Sequence, residues 1–130
     1  MTQEWEQAAK RGDASSLTSQ IAAGVDVNAL DRFGQSALML ASQRGHLEAV
    51  RILIDAGADL DTTAKFGLSA TMLAVINHHE SVARELAAAG ANLRIVGSGA
   101  PGFAGKSAAE LARDRGLDAL ANALTPPARV

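Results

Sequence analysis

The chain contains no cysteine and no tyrosine. The first absence excludes disulfides, thiolate catalysis and cysteine-based zinc sites, and it fits a reducing compartment. Aromatics are few: one Trp and three Phe among 130 residues. Because 48% of the residues are nonetheless hydrophobic, the core must be built from Leu, Ile, Val and Ala. The net charge of −2 gives no general pull toward nucleic acid or an anionic membrane, so neither is expected as a partner. No apolar run approaches the roughly 20 residues that a membrane span needs. The start, Met1-Thr2-Gln3-Glu4-Trp5, lacks a basic segment followed by an apolar one, so no signal peptide is visible. A cytoplasmic location is expected, or a periplasmic one if a leader has been removed. The length implies one domain or less.

What is present is periodicity. The stretch Asp31 to Asp61, DRFGQSALMLASQRGHLEAVRILIDAGADLD, reads as one unit that most of the chain repeats. Gly34 recurs as Gly67, Ser36-Ala37 as Ser69-Ala70, Leu40-Ala41 as Leu73-Ala74, and Leu53 as Leu86. Gly57-Ala58-Asp59-Leu60 recurs as Gly90-Ala91-Asn92-Leu93. The offset is the same in every case, and it runs backwards from Gly57, Gly45 and Ala41 to Gly24, Gly12 and Ala8. A fixed period of this size signals stacked supersecondary units rather than one closed core.

Within a unit, Ser36 can cap a helix by accepting a backbone N–H bond. Leu38, Met39, Leu40 and Ala41 then supply apolar surface, and Gly45 stops the helix. Leu47, Val50, Leu53 and Ile54 lie on one face of a second helix, which Gly57 ends. The segment that follows, up to Lys65-Phe66-Gly67, suits a tight hairpin-like connection. Two short helices and a turn cannot bury their apolar faces alone, but a stack of them can.

At these residues the chain resembles the ankyrin repeat proteins. Their T-P-L-H-x-A signature stands here as Ser36-Ala37-Leu38-Met39-Leu40-Ala41 and as Ser69-Ala70-Thr71-Met72-Leu73-Ala74. Gly45-His46 and Gly57-Ala58-Asp59-Leu60-Asp61 match two further elements, and Gly24-Val25-Asp26-Val27-Asn28-Ala29 matches the last almost residue for residue. The resemblance spans roughly residues 4 to 124 and implies an all-α repeat solenoid of about four repeats. The departures are Ser-Ala for Thr-Pro, Met for His, and His78 in place of an inter-helix glycine, which predicts a strained turn there.

In order, residues 1–30 form an N-terminal capping repeat, with Trp5 in the core because it stands one period before Leu38. Its second helix buries Leu17 and Ile21 but is otherwise polar, as an outer cap requires. Full repeats follow at 31–63 and 64–96. A C-terminal capping repeat over 97–124 carries an inserted hairpin loop at 95–104, because the period carries Gly67 to position 100 whereas the matching glycine is Gly105. A tail occupies 125–130 after Thr125-Pro126-Pro127.

Two apparent motifs are set aside. His78-His79-Glu80 resembles a metal cluster, but adjacent helical residues point about 100° apart, so one ion could hardly take all three. The string 100–107, ending Gly105-Lys106-Ser107, resembles a phosphate-binding loop with Ala100 for its first glycine. No parallel sheet is expected to hold it, Pro101 removes an N–H donor, and the repeat pattern already accounts for Gly105 and Ser107. No catalytic set appears and no cofactor is expected, so the chain is not expected to be an enzyme.

Function is expected at the hairpin tips and the exposed side of the first helices, the concave face through which the family binds other macromolecules. All three phenylalanines fall at tips: Phe33, Phe66 and Phe103. They either tie neighbouring hairpins together or form an exposed aromatic ridge, and the ridge is what an interface favours. Arg32, Gln35, Lys65, Leu68 and Lys106 are expected to face the same way, with Gln43, Arg44, Ile76 and Asn77 from the first helices. The cations Arg32, Arg44, Lys65 and Lys106 would make this face basic and suit an acidic partner. The leading reading is a protein-binding module, an adaptor or an inhibitor of a partner enzyme, expected as a monomer with homodimerisation through the ridge as the alternative. A short, Ala-rich, free-standing chain is closer to bacterial members of the family, which include inhibitors and immunity proteins. The other readings are a nucleotide-binding protein using the 100–107 loop and a purely structural scaffold.

Overall fold

The computed structural model describes residues 1–128; the last two residues of the expected tail lie outside them. Eight α-helices occur among the described residues: α1 (Gln3–Arg11), α2 (Ala14–Ala22), α3 (Ala37–Gln43), α4 (Leu47–Asp55), α5 (Ala70–Ile76), α6 (Glu80–Ala88), α7 (Ala108–Asp114) and α8 (Asp118–Leu124). They form four helix–turn–helix pairs. The first helices α1, α3, α5 and α7 pack in sequence as one layer, and the second helices α2, α4, α6 and α8 as another. This is the all-α repeat solenoid that the resemblance implies.

Local chemistry explains where each first helix begins. Thr2, Ser36, Ser69 and Ser107 are extended, and each hydroxyl accepts an N–H three residues on, from Trp5, Met39, Met72 and Glu110. Such a cap contributes about 1 kcal/mol. At Ser107 the Glu110 carboxylate also accepts the Ser107 N–H, completing a reciprocal capping box. The helices are short, seven or nine residues each, too short to persist alone in water. Packing supplies the rest. Trp5, Leu17, Leu38, Met39, Leu40, Leu53, Met72, Leu86, Leu111, Leu120 and Leu124 are fully buried in one continuous core. Each large side chain contributes roughly 2 kcal/mol by leaving water.

The pairs are also keyed to one another. The second helices α4 and α6 start at His46 and His79, whose side chains make no capping bond. Instead, each ring lies over the glycine turn of the preceding unit. His46 Nε2 sits 2.9 Å from the Lys10 carbonyl, and a Cβ on Gly12 would fall 2.5 Å from the His46 ring. A Cβ on Gly45 would fall 2.5 Å from the His79 ring in the same way. Glycine is thus required twice over at these turns, for the positive φ of 66° and 75° and for the absent side chain. One repeat further on, His78 takes the same conformation with φ 62°, the strain expected of a non-glycine residue there. A second link runs along the loops. Asn28 Oδ1 accepts the Asp59 N–H at 2.8 Å, and Asp61 Oδ1 accepts the Asn92 N–H at 2.8 Å.

Candidate functional site

The first hairpin tip is built by one carboxylate. Asp31 Oδ1 accepts the N–H groups of Phe33 at 2.8 Å and Gln35 at 2.9 Å, while the Asp31 N–H donates to the Gln35 carbonyl at 2.8 Å. This arrangement directs Arg32 and Phe33 outward. Phe33 is 64% exposed and Leu30, just before the turn, 46%. The Arg32 guanidinium lies 4.9 Å from the Phe33 ring centroid, within cation–π reach. Between this tip and α1 lies an open cleft of about 490 Å³, bordered by Met1, Glu6, Lys10, Leu30, Arg32 and Phe33. Glu6 and Lys10 are paired with each other at 3.0 Å.

The second tip differs because Ala64 stands where the repeat has Asp31. Without that carboxylate the chain turns more tightly through Lys65–Gly67, and Phe66 adopts a positive φ of 63°. A left-handed conformation costs a non-glycine residue about 1–2 kcal/mol, so the surroundings must hold it. They come from the inserted loop. The Phe103 ring lies 5.6 Å from that of Phe66 at a 42° tilt, and the Ser98 N–H donates to the Phe66 carbonyl at 2.7 Å. The loop is itself closed at its base by the Gly97 N–H on the Lys106 carbonyl at 2.9 Å and the Gly105 N–H on the Gly97 carbonyl at 3.0 Å. Lys65 Nζ sits 4.9 Å from the Phe66 centroid, repeating the Arg32–Phe33 arrangement one unit on.

The expected surface residues therefore divide. Arg32, Phe33, Arg44, Lys65 and Asn77 are exposed; Gln35, Gln43, Phe66, Ile76, Phe103 and Lys106 are half-buried. Gln43 Nε2 reaches Gln35 Oε1 at 3.4 Å, and Asn77 Nδ2 donates back to the Leu73 carbonyl at 2.8 Å. Leu68 requires a correction. It is only 6% exposed and belongs to the core, because the extended backbone after the tight turn directs its side chain inward. The ridge is also shorter than expected: Phe66 and Phe103 cover each other, and of the three rings Phe33 alone stands clear. The basic character needs trimming too, since Lys106 is paired with Asp114. Arg32, Arg44 and Lys65 make no ion pair among the described residues. Leu30 belongs to the surface but went unnoticed in the sequence. Its signal was an apolar residue where the next repeat has polar Thr63.

The 100–107 string has carboxylates where a phosphate would need donors. Lys106 is held by Asp114, and the Ser107 hydroxyl lies 3.1 Å from Glu110 Oε1. Before it, Gly97 and Ala104 make only an isolated bridge and no sheet. His79 is committed to the Gly45 turn, and among the described residues no group of three His, Asp or Glu could hold a metal ion. No helix among them is long and apolar enough to cross a membrane.

A family model for ankyrin repeats, in three copies, matches residues 5–96. No curated protein matches the chain. The helix pairs, the constant period and this match agree, and the chain belongs to the ankyrin repeat family.

Proposed function

We propose that the protein is a non-enzymatic binding module that holds a partner protein against its hairpin tips and first-helix face. Ankyrin repeats are in general protein–protein interaction modules, which supports the reading at its coarsest. The observation that carries the finer reading is Phe33, a large aromatic side chain 64% exposed at a tip whose backbone is rigidly fixed by Asp31. Exposing an aromatic ring costs solvation free energy that a monomer gains nothing from, and such rings on ordered backbone are what interface hot spots use. The partner is expected to cover Arg32, Phe33, Gln35, Gln43, Arg44 and Lys65, with Ile76 and Asn77 at the margin. An inhibitor covering a partner enzyme's active site, as in a bacterial immunity pair, and an adaptor joining two proteins are the two finer forms.

The test is affinity capture from a lysate of the source organism, comparing wild type with a Phe33→Ser/Arg44→Glu variant whose fold is checked by circular dichroism. A protein retained by wild type and lost by the variant is expected. If the same protein is retained equally by both, the binding face lies elsewhere. If the captured protein is an enzyme, its activity with and without the module separates inhibitor from adaptor.

A further inference from the structure

Among the described residues, two of the three large hydrophobic side chains that stand exposed lie together at the first tip, Leu30 at 46% and Phe33 at 64%. Both border the 490 Å³ cleft beside α1, and so does Met1, whose ammonium group donates to the Leu30 carbonyl at 3.2 Å. The corner is therefore concave, with an apolar side made by Met1, Leu30 and Phe33 against a polar one made by Gln3, Glu6, Gln7 and Lys10, and it has room for one side chain of a partner. Its charges are not balanced. Glu6 is satisfied by Lys10, and the Asp31 carboxylate is engaged by two backbone N–H groups. Arg32 beside the cleft and Lys65 on the next tip make no ion pair among the described residues, whereas Lys10, Arg51 and Lys106 each have one. What sets these two cations apart is that each lies 4.9 Å from the ring of the adjacent phenylalanine. A cation placed over an aromatic face is partly fixed before any ligand arrives, so less side-chain freedom is lost when a carboxylate binds.

Resting on the binding function proposed above, we infer that the first tip receives an acidic segment of the partner with one apolar anchor residue. The anchor enters the cleft between Leu30, Phe33 and Met1. Asp or Glu residues flanking it pair with Arg32 and, one tip further along, with Lys65. The mixture of apolar contact and two uncompensated cations selects against basic and against uniformly polar segments. Because the cations are exposed, their share of the affinity is screened by salt, while the anchor's share is not.

The test uses a phage-displayed library of random dodecapeptides, selected on the full protein in low salt. Enriched peptides are then synthesised with a fluorophore and titrated by anisotropy. The expected result is enrichment of sequences with a Leu, Ile, Met or Phe next to Asp or Glu. Their affinity should fall about tenfold or more in Phe33→Ser, by a similar factor in Arg32→Glu/Lys65→Glu, and not at all in Arg84→Glu on the second-helix layer. Raising the salt should weaken wild-type binding and, by screening the new repulsion, strengthen the charge-reversed variant's residual binding. Basic or neutral peptides, or acidic ones that bind both tip variants undiminished, would overturn the assignment while leaving a protein-binding role elsewhere on the molecule intact. A selection that enriches nothing would overturn the assignment of a segment-binding tip and leave the wider protein-binding role to the lysate capture. Should Phe33→Ser fail to fold, the charge-reversal pair decides alone, since both of its positions are exposed.

Discussion

Replacing His78 with glycine should stabilise the protein although it removes a side chain and adds backbone freedom. His78 is exposed and sits at φ 62°, where the homologous positions one and two repeats earlier are Gly45 and Gly12. Relief of a left-handed non-glycine conformation is worth about 1–2 kcal/mol, and the extra freedom of glycine in the unfolded chain costs about 0.5–1 kcal/mol. The net gain is therefore about 0.5–1 kcal/mol, a rise of roughly 2–4 °C in Tm for a chain of this size. The reverse change one repeat earlier has the opposite sign and is larger. Gly45→Ala incurs the same conformational cost at φ 75° and also drives a Cβ to 2.5 Å from the His79 ring. Overpacking of this kind costs about 1–3 kcal/mol, which with a net backbone cost of about 0.5–1 kcal/mol makes the total loss about 1.5–4 kcal/mol. A double-mutant cycle divides the two contributions: in a His79→Ala background, Gly45→Ala should cost only the net backbone part, about 0.5–1 kcal/mol. Thermal and urea denaturation of the five proteins, followed by circular dichroism, measure all of this. A lower Tm for His78→Gly, or an equal cost of Gly45→Ala in both backgrounds, would refute the argument that these turns are set by backbone strain and by histidine packing.

Leu68→Ala should cost about 2–4 kcal/mol in urea denaturation because the side chain is buried, whereas Phe33→Ser should change stability by less than about 0.5 kcal/mol. Phe103→Ala removes the ring that holds Phe66 in its left-handed turn. Hydrogen exchange at the Ser98 amide, which is bonded to the Phe66 carbonyl, should speed up by roughly tenfold while amides of α3 are unaffected. Asn28→Ala leaves the Asp59 N–H without its inter-repeat acceptor and should cost about 1 kcal/mol, with Asn28→Asp restoring most of it, since Asp61 does the same work one repeat on.

The features that the sequence revealed are those decided within one unit. Ser36, Ser69 and Ser107 cap helices because a hydroxyl three residues before an N–H needs nothing from elsewhere. Trp5 could be placed in the core because a period transfers burial from Leu38 to the residue one unit earlier. The strain at His78 was legible for the same reason. What escaped depends on contacts across units. That Leu68 points inward follows from the tighter turn through Phe66. That turn in turn follows from Ala64 replacing an Asp and from the inserted loop of the next unit, which reaches back to it. The pairing of Lys106 with Asp114 likewise removes a cation that composition alone assigns to the surface. Positional transfer treats every repeat as the average one, and it fails where one repeat leans on an irregular neighbour.

That irregularity bears on why the exposed ring is the first and not the second. A tip phenylalanine can be covered by only one adjacent hairpin at a time. Phe66 lies against Phe103, and its carbonyl is held by the Ser98 N–H, so its ring is committed toward the C-terminal side of the stack. Among the described residues Phe33 is left with no aromatic neighbour, and the cation over its ring is its own Arg32. By engaging Phe66, the inserted loop leaves the first tip uncovered. Stability in this chain therefore rests on the positions that repeat, such as Gly12 and Gly45, His46 and His79, Asn28 and Asp61. The opening for a partner arises because only the irregular loop of the last unit reaches back over the ring before it, and no such loop follows Phe33.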